Sequence, residues 1–349
     1  MLKNKIRKLL ALVLAGVMIT GMEIPVHAAT VWTGGVDTSW YTGNKSSYDI
    51  STPEQLAGFA KLVRDAAHEE RFRGVTINLT DDIILNDTSS IATWSKNAPA
   101  NVWDPIGRIG SPVMGYCPFA GCFNGNGHTI SGMYVNTDRE SGLFCYTSGA
   151  VIKNVNIADS VVINNKENSS GSLVGVAEST YFDNCGATNI QVIGSNEVGG
   201  LVGKSYKVNS LIPFMQVAMM GFGVVVNPMV FGSVPQEAAK GTYFNNCRVN
   251  VAYLKSAAEW NSPAVGGIIG HYYTDGGLAN CATNAITAHS VDKVKYSTVH
   301  TGPCGAVIGK IEWNGYGIKD VAINGCVTNA FQRTDTGTAR SDADKVPSL

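Results

Sequence analysis

The chain has 349 residues, of which 39 are glycine and only 15 % are charged, against about 25 % in ordinary globular domains. Its formal charge is −1 and no basic stripe is visible, which argues against a nucleic-acid partner. The length suits two ordinary domains or one elongated repeat array, and low charge with abundant Gly, Asn, Ser and Thr favours an exported β-rich array.

Residues 1–28 open with the basic stretch Met1 to Lys8, continue through the apolar run Leu9 to Met22 and end on Val26-His27-Ala28. Small residues at the two positions a signal peptidase reads predict a secretory signal peptide cleaved after Ala28. The apolar run is shorter than the roughly 20 residues of a membrane span. A secreted or cell-surface bacterial protein is therefore expected. Removal of Lys3, Lys5, Arg7 and Lys8 with Glu23 leaves the exported chain at about −4. Residues 29–50, rich in Gly, Ser, Thr, Trp and Tyr, read as an irregular leader.

Residues 51–118 read as an N-terminal cap. Thr52 is a good N-cap, Pro53 suits the first helical position, and Gln55 completes a capping box. Leu56, Phe59, Ala60, Val63 and Ala67 then share one helical face. Alternating Val75, Ile77 and Leu79 form the first convincing strand. Ile91 to Met114 reads as a long loop in which Trp94 and Trp103 either pack over a coil end, the more ordinary role, or stack on sugar rings.

From residue 119 to 330 the chain repeats itself. Val198 to Gly203 reads VGGLVG, and variants return as SGSLVG from Ser170, VGGIIG from Val265, GAVIG from Gly305 and, more weakly, SGLFCY from Ser141. A second element, Asn-Cys, follows at Asn184-Cys185, Asn246-Cys247 and Asn280-Cys281, with Asn154-Val155 and Gly325-Cys326 as variants. Gly175 to Gly203 sets a period of 28. A unit this short cannot bury its own apolar face and must stack on its copies. Short β-branched runs broken by Gly, Asn and Ser make the stacked unit a coil of strands. The fold class is thus all-β: a single-stranded parallel β-helix, or solenoid, expected to be right-handed, with an N-terminal capping helix. Seven to eight coils at about 4.8 Å would make a rod about 35–40 Å tall. Helix 53 onward covers the open end, where strand edges and apolar core would otherwise be exposed.

These repeats resemble the GLUG-motif β-solenoids of bacterial secreted and surface proteins, whose glycine-Leu-Val/Ile-glycine signature is similar to VGGLVG, VGGIIG and SGSLVG. Phe119 to Ile130, FAGCFNGNGHTI, resembles the segment that precedes such repeats, and Thr52 to Leu85 resembles their entry region. The resemblance covers roughly Tyr48 to Val327. It implies a fold more than an activity, because such solenoids occur in adhesins, large proteases and proteins of no known role.

Four of eight cysteines, Cys185, Cys247, Cys281 and Cys326, share the repeat position that Val155 occupies. A slot that takes Val or Cys is a core slot, so a buried column of free thiols is expected there, while Cys117 and Cys122 are placed to bridge. Neither recurring His ligands nor paired Cys-x-x-Cys hooks accompany them, so no metal is expected. No cofactor and no catalytic set are expected either. His68-Glu69-Glu70 begins like a zinc-protease helix, but Phe72 stands where the second His is required. Asp81-Asp82 and His128 read as turn residues, with paired-carboxylate or other chemistry as the alternative.

The repeats are interrupted by an insertion at 204–240. From Val208 to Gln236 it carries no charge, and Phe214, Met219, Met220, Phe222, Met229 and Phe231 are the candidate binding residues. Its best apolar stretch, Leu211 to Val226, is short for a span. It either folds flat on the solenoid or forms a Met-rich arm for a membrane surface or another protein. Residues 331–349 read as a polar tail. The function expected is a non-enzymatic module for adhesion or extracellular binding, its partner a protein, a glycan or a membrane surface. A carbohydrate-active β-helix enzyme, lyase or hydrolase, is the alternative, and membrane activity through the insertion a further one.

Overall fold

The computed structural model describes residues 30–65, 72–108, 117–166, 168–206, 241–258, 263–293, 299–301, 303–312, 321–334 and 338–339. The expected signal peptide, Ala67 to Glu70, and residues 207–240 of the expected insertion, with Phe214, Met219, Met220, Phe222, Met229 and Phe231, lie outside the described residues, while Lys204 to Tyr206, expected to open the insertion, belong to the strand Val202–Tyr206.

The described strands form four sheets, of eight, ten, five and three strands, and none closes into a barrel. Among the described strands pairing is parallel, except between Ala282–Lys293 and Val299–Thr301, which pair antiparallel. The chain passes from the five-stranded sheet (Phe144–Ser148) to the eight-stranded (Val151–Lys153) and the ten-stranded (Asn156–Asn164). It then returns to the five-stranded sheet at Val174–Glu178, and the same order recurs to Val327–Arg333. That last strand runs past residue 330, into what the sequence presented as tail.

Register explains why a period-two pattern suffices to build a core. In the eight-stranded sheet, inward residues align from Ile77 through Phe123, Ile152, Phe182 and Phe244 to Leu278, and all are at most 1 % exposed. Phe182 and Phe244 stack with centroids 4.7 Å apart and planes 8° from parallel. Each such side chain contributes about 1.5–3 kcal/mol by leaving water. Across the insertion the register is kept. Asn184 and Asn246 lie 62 positions apart yet bond as do Asn154 and Asn184, 30 apart.

The signature glycines answer a steric demand of the backbone. A Cβ on Gly199 would lie 1.8 Å from the Val202 oxygen, and one on Gly266 or Gly305 would meet Ile269 or Ile308 in the same way. On Gly200 it would lie 2.0 Å from the Gly267 oxygen of the next repeat. The positive-φ role falls instead to asparagine: Asn154, Asn184, Asn246 and Asn280 sit at φ 51–54°, with Gly325 at 62°. Asn and Gly tolerate this region best. The turn places the following residue inward, so Val155, Cys185, Cys247 and Cys281 are buried one above another. Their carbonyls accept from Gly186, Arg248, Ala282 and Val327 in succession.

Cys185, Cys247 and Cys281 are buried and form no disulfide, as expected, whereas Cys326, expected in the same column, is only partly buried. Cys117 and Cys122 do not bridge. Cys117 forms an isolated antiparallel bridge with Arg108, while Cys122 opens a strand of the eight-stranded sheet.

Helix Pro53–Arg64 forms where the capping signals place it, and it buries Leu56, Phe59, Ala60 and Val63. Thr52 Oγ1 accepts from Gln55 N at 3.2 Å, but Gln55 Oε1 takes the Ser51 N–H at 2.8 Å, one residue further back than a capping box requires. Phe59 meets Phe72, Phe119, Phe123 and Phe144 at 5.1–6.4 Å, joining the helix to the first sheets. The leader is not wholly irregular. Ser47–Ile50 is the outermost strand of the eight-stranded sheet, paired with Thr76–Leu79. A short 3-10 helix, Thr88–Thr93, leads into the expected loop. Trp94 and Trp103 are 1–2 % exposed, so they pack and do not offer rings to a sugar.

Candidate functional site

Two faces of the structure gather polar groups. The first is the outer face of the five-stranded sheet, where the residue following each signature glycine falls in register: Val176, Lys204, His271 and Lys310. Beside it Glu140, Ser169 and Glu197 occupy equivalent positions of successive repeats, bracketed by the Ser141–Ser170–Val198 bridges. Gly203 lets the two columns meet, since a Cβ there would lie 2.4 Å from Ser170 N.

Glu197, 5 % exposed, is the centre of this cluster. Its Oε1 takes Lys204 Nζ at 3.0 Å and faces His271 Nδ1 at 3.3 Å, and its Oε2 accepts from Ser169 Oγ at 2.9 Å. On the other side of the imidazole, Nε2 lies 3.3 Å from Glu312 Oε2 without a hydrogen bond between them. Lys310 Nζ holds the same Glu312 at 2.8 Å. Tyr273 sets its ring edge-on to His271 at 5.4 Å.

Burial alone would push the Glu197 carboxyl up, but the His271 hydrogen bond and the Lys204 charge outweigh it and hold the group at about 2. Burial pushes His271 below the ordinary histidine range, against the pull of Glu197. Glu178, on the same face, goes the other way: burial raises its carboxyl in spite of hydrogen bonds from Tyr146 and Ser148. Two carboxyls pushed apart in this way have the character of an acid and a base. Yet both are at most 6 % exposed, and both oxygens of Glu197 are engaged. The cluster as folded is a mutually neutralising ion network.

The second face is the outer surface of the ten-stranded sheet. Asn284 Nδ2 donates to Asn250 Oδ1 at 2.7 Å, and Asn329 Nδ2 donates to Asn284 Oδ1 at 3.1 Å. The next residue in each strand, Asn189, Val251, Ala285 or Ala330, has φ 52–54°. Beyond this kink Gln191, Tyr253, Thr287 and Gln332 come into register.

The polar residues singled out from sequence serve turns. Asp82 N–H bonds Asp81 Oδ1 at 2.8 Å, and Asp82 Oδ1 accepts from Thr129 N at 2.8 Å with His128 Nδ1 at 3.3 Å. Sequence reading missed Lys204, His271 and Lys310, although a signal for them exists, since each directly follows a signature glycine. Among the described residues no group of three or more His, Cys, Asp or Glu is arranged to hold a metal ion.

No family model and no curated protein matches the chain. Among solved structures it is similar to the crystal structure of "a putative immunoglobulin A1 protease" from Bacteroides ovatus, at 16 % identity and a TM-score of 0.47, over 86 % of this chain and 81 % of that one.

Proposed function

We propose that the chain is an exported β-solenoid module of the GLUG-repeat kind, which acts at the cell surface or outside the cell by binding, without catalysis. The solenoid reading is supported by the fixed order in which the chain visits its parallel sheets. It is also supported by the columns of equivalent residues, with eight strands in one sheet spanning about 34 Å at 4.8 Å each. The binding reading rests on one contrast: the charged groups beside the five-stranded sheet pair with one another, whereas the outer face of the ten-stranded sheet carries a regular ladder of in-register amides, Asn250, Asn284 and Asn329, with Arg248 and Lys255 at its borders. Fixed, in-register groups on a rigid sheet suit recognition of an extended partner.

The test is a binding screen of the exported protein against host matrix, glycans, cell-wall material and liposomes. Retention on one of these, with the retained material chemically unaltered, is the expected outcome. The alternative reading is a carbohydrate-active enzyme. Release of new reducing ends or unsaturated sugars from a polysaccharide, lost in Glu197→Gln while the β circular dichroism persists, would replace the first reading with the second.

A further inference from the structure

The outer face of the ten-stranded sheet changes character along the stack. At one end Trp94 packs edge-on to Tyr134 at 6.1 Å and, with Ile91, covers Val161. Further along the same column Gln191 and Thr287 are half-buried, and Tyr253 keeps 36 % of its surface exposed. The neighbouring column is the amide ladder. A primary amide has two N–H donors and two acceptor lone pairs. Asn284 directs one of each along the ladder, to Asn250 and from Asn329, which leaves one donor and one acceptor for solvent or a ligand. Consecutive strands lie about 4.8 Å apart, so the remaining groups recur at that interval.

Charge borders this strip and does not enter its open part. Arg248 stands one pleat to one side of the ladder, where it bonds Asn246 Oδ1 at 3.3 Å, and Lys255 stands one pleat beyond Tyr253. Asp159, at the covered end, accepts from Asn189. A polyanion would find no cation between these borders. A protein partner would want an apolar centre, and the open strip offers chiefly Val251 and an aromatic ring among amides and hydroxyls.

Resting on the reading of the chain as a binding module, we infer that this strip binds a neutral, extended polysaccharide. Its hydroxyls, donors and acceptors at once, meet the free sides of the Asn250–Asn284–Asn329 ladder. The C–H face of one sugar ring lies on Tyr253. A pyranose ring in an extended chain advances by close to one strand spacing, so successive sugars meet successive amides.

The experiment is co-sedimentation of the full chain with insoluble neutral polysaccharides (cellulose, chitin, mannan and a β-1,3-glucan), with immobilised heparin and polygalacturonate as charged controls. Retention on at least one neutral polymer is expected, insensitive to moderate salt. Tyr253→Ala should weaken it about tenfold, which corresponds to about 1.4 kcal/mol. Asn284→Asp, which puts a charge in the ladder, should weaken it at least as much, and Lys255→Gln should leave it unchanged. Unaltered β circular dichroism separates these effects from misfolding. Retention on a neutral polymer that neither Tyr253→Ala nor Asn284→Asp diminishes places the site elsewhere and overturns the inference. Retention only on the charged polymers or on matrix proteins overturns it too, while leaving the broader binding role intact.

Discussion

At the scale of single residues, the repeats hold side chains in conformations that their chemistry does not favour equally. Val251 sits at φ 54° at a kink where other repeats place Asn189 and Asp159, and it is 46 % exposed. A β-branched residue in the left-handed region is strained by about 1–2 kcal/mol, a cost Asn mostly escapes. Val251→Asn should therefore raise the unfolding free energy measured in urea by about 1 kcal/mol, and a lower value would mean that Val251 is held by packing instead. The buried acids give a pH dependence of mixed sign. Glu197 is depressed to about 2, so its contribution is present above the unfolded value near 4.5 and lost as pH falls toward 2. His271 is also depressed, so folding favours its neutral form and loses stability as pH falls below about 6.5. Glu178 is raised and opposes these, losing stability as pH climbs through its elevated value. Glu197→Gln should cost about 2–3 kcal/mol at pH 7 and flatten the acid limb of the stability curve. Glu178→Gln should keep the Tyr146 contact and be neutral or stabilising at pH 7. Urea melts between pH 3 and 8 decide both, and an unchanged acid limb in Glu197→Gln would show that the ion network contributes nothing.

At the scale of the element, the glycine signature and the Asn-Cys turn do different mechanical work. Gly199→Ala drives a methyl into the Val202 oxygen and within 2.8 Å of Gly270 N, and neither backbone atom can swing aside. A loss above about 3 kcal/mol, or failure to fold, is expected. Gly127, with φ 88° and open space around its Cβ position, meets only the torsional cost, so Gly127→Ala should lose about 1 kcal/mol. Equal losses at the two sites would refute the steric account of the motif. In the turn column, burial pushes the Cys247 thiol far up, and Cys281 rises through its contact with Cys247 and through burial. Thiols held protonated react slowly. Cys185, Cys247 and Cys281 should label only on unfolding, and Cys247→Val, which repeats the choice made at Val155, should change stability by less than about 1.5 kcal/mol. Rapid labelling of these three in the native protein would contradict their burial.

At the scale of the whole molecule, the strands on either side of the insertion are locked to one another without its help. Val202–Tyr206 pairs with Ile269–Tyr273, while Thr242–Asn245 pairs with both Tyr181–Asp183 and Gly276–Ala279. Removing Val208 to Gln236 and closing the gap with a short Gly-Ser linker should preserve the cooperative melt and the β circular dichroism. An unfolded deletion variant would make the segment part of the core. A folded variant that binds its ligand as well as the parent would clear Phe214, Met219, Met220, Phe222, Met229 and Phe231 of a binding role.

What the sequence by itself determined is whatever each repeat decides locally. The helix follows from Thr52 and Pro53, the buried thiols follow from Val155 sharing a slot with cysteine, and the parallel all-β pairing follows from short strands at a fixed period. The strand Ser47–Ile50 was hidden because it is short and finds its partner only at Thr76–Leu79. Lys204, His271 and Lys310 each follow a signature glycine but lie in different repeats, so nothing in the linear order joins them to one another or joins His271 to Glu197. Parallel stacking turns equal positions into neighbours a few ångströms apart, and the motif glycines let a second column close against the first. Only that approach decided which charges neutralise one another and which amides line up into a ladder, because Coulomb and hydrogen-bond energies depend on distances that a linear sequence does not contain.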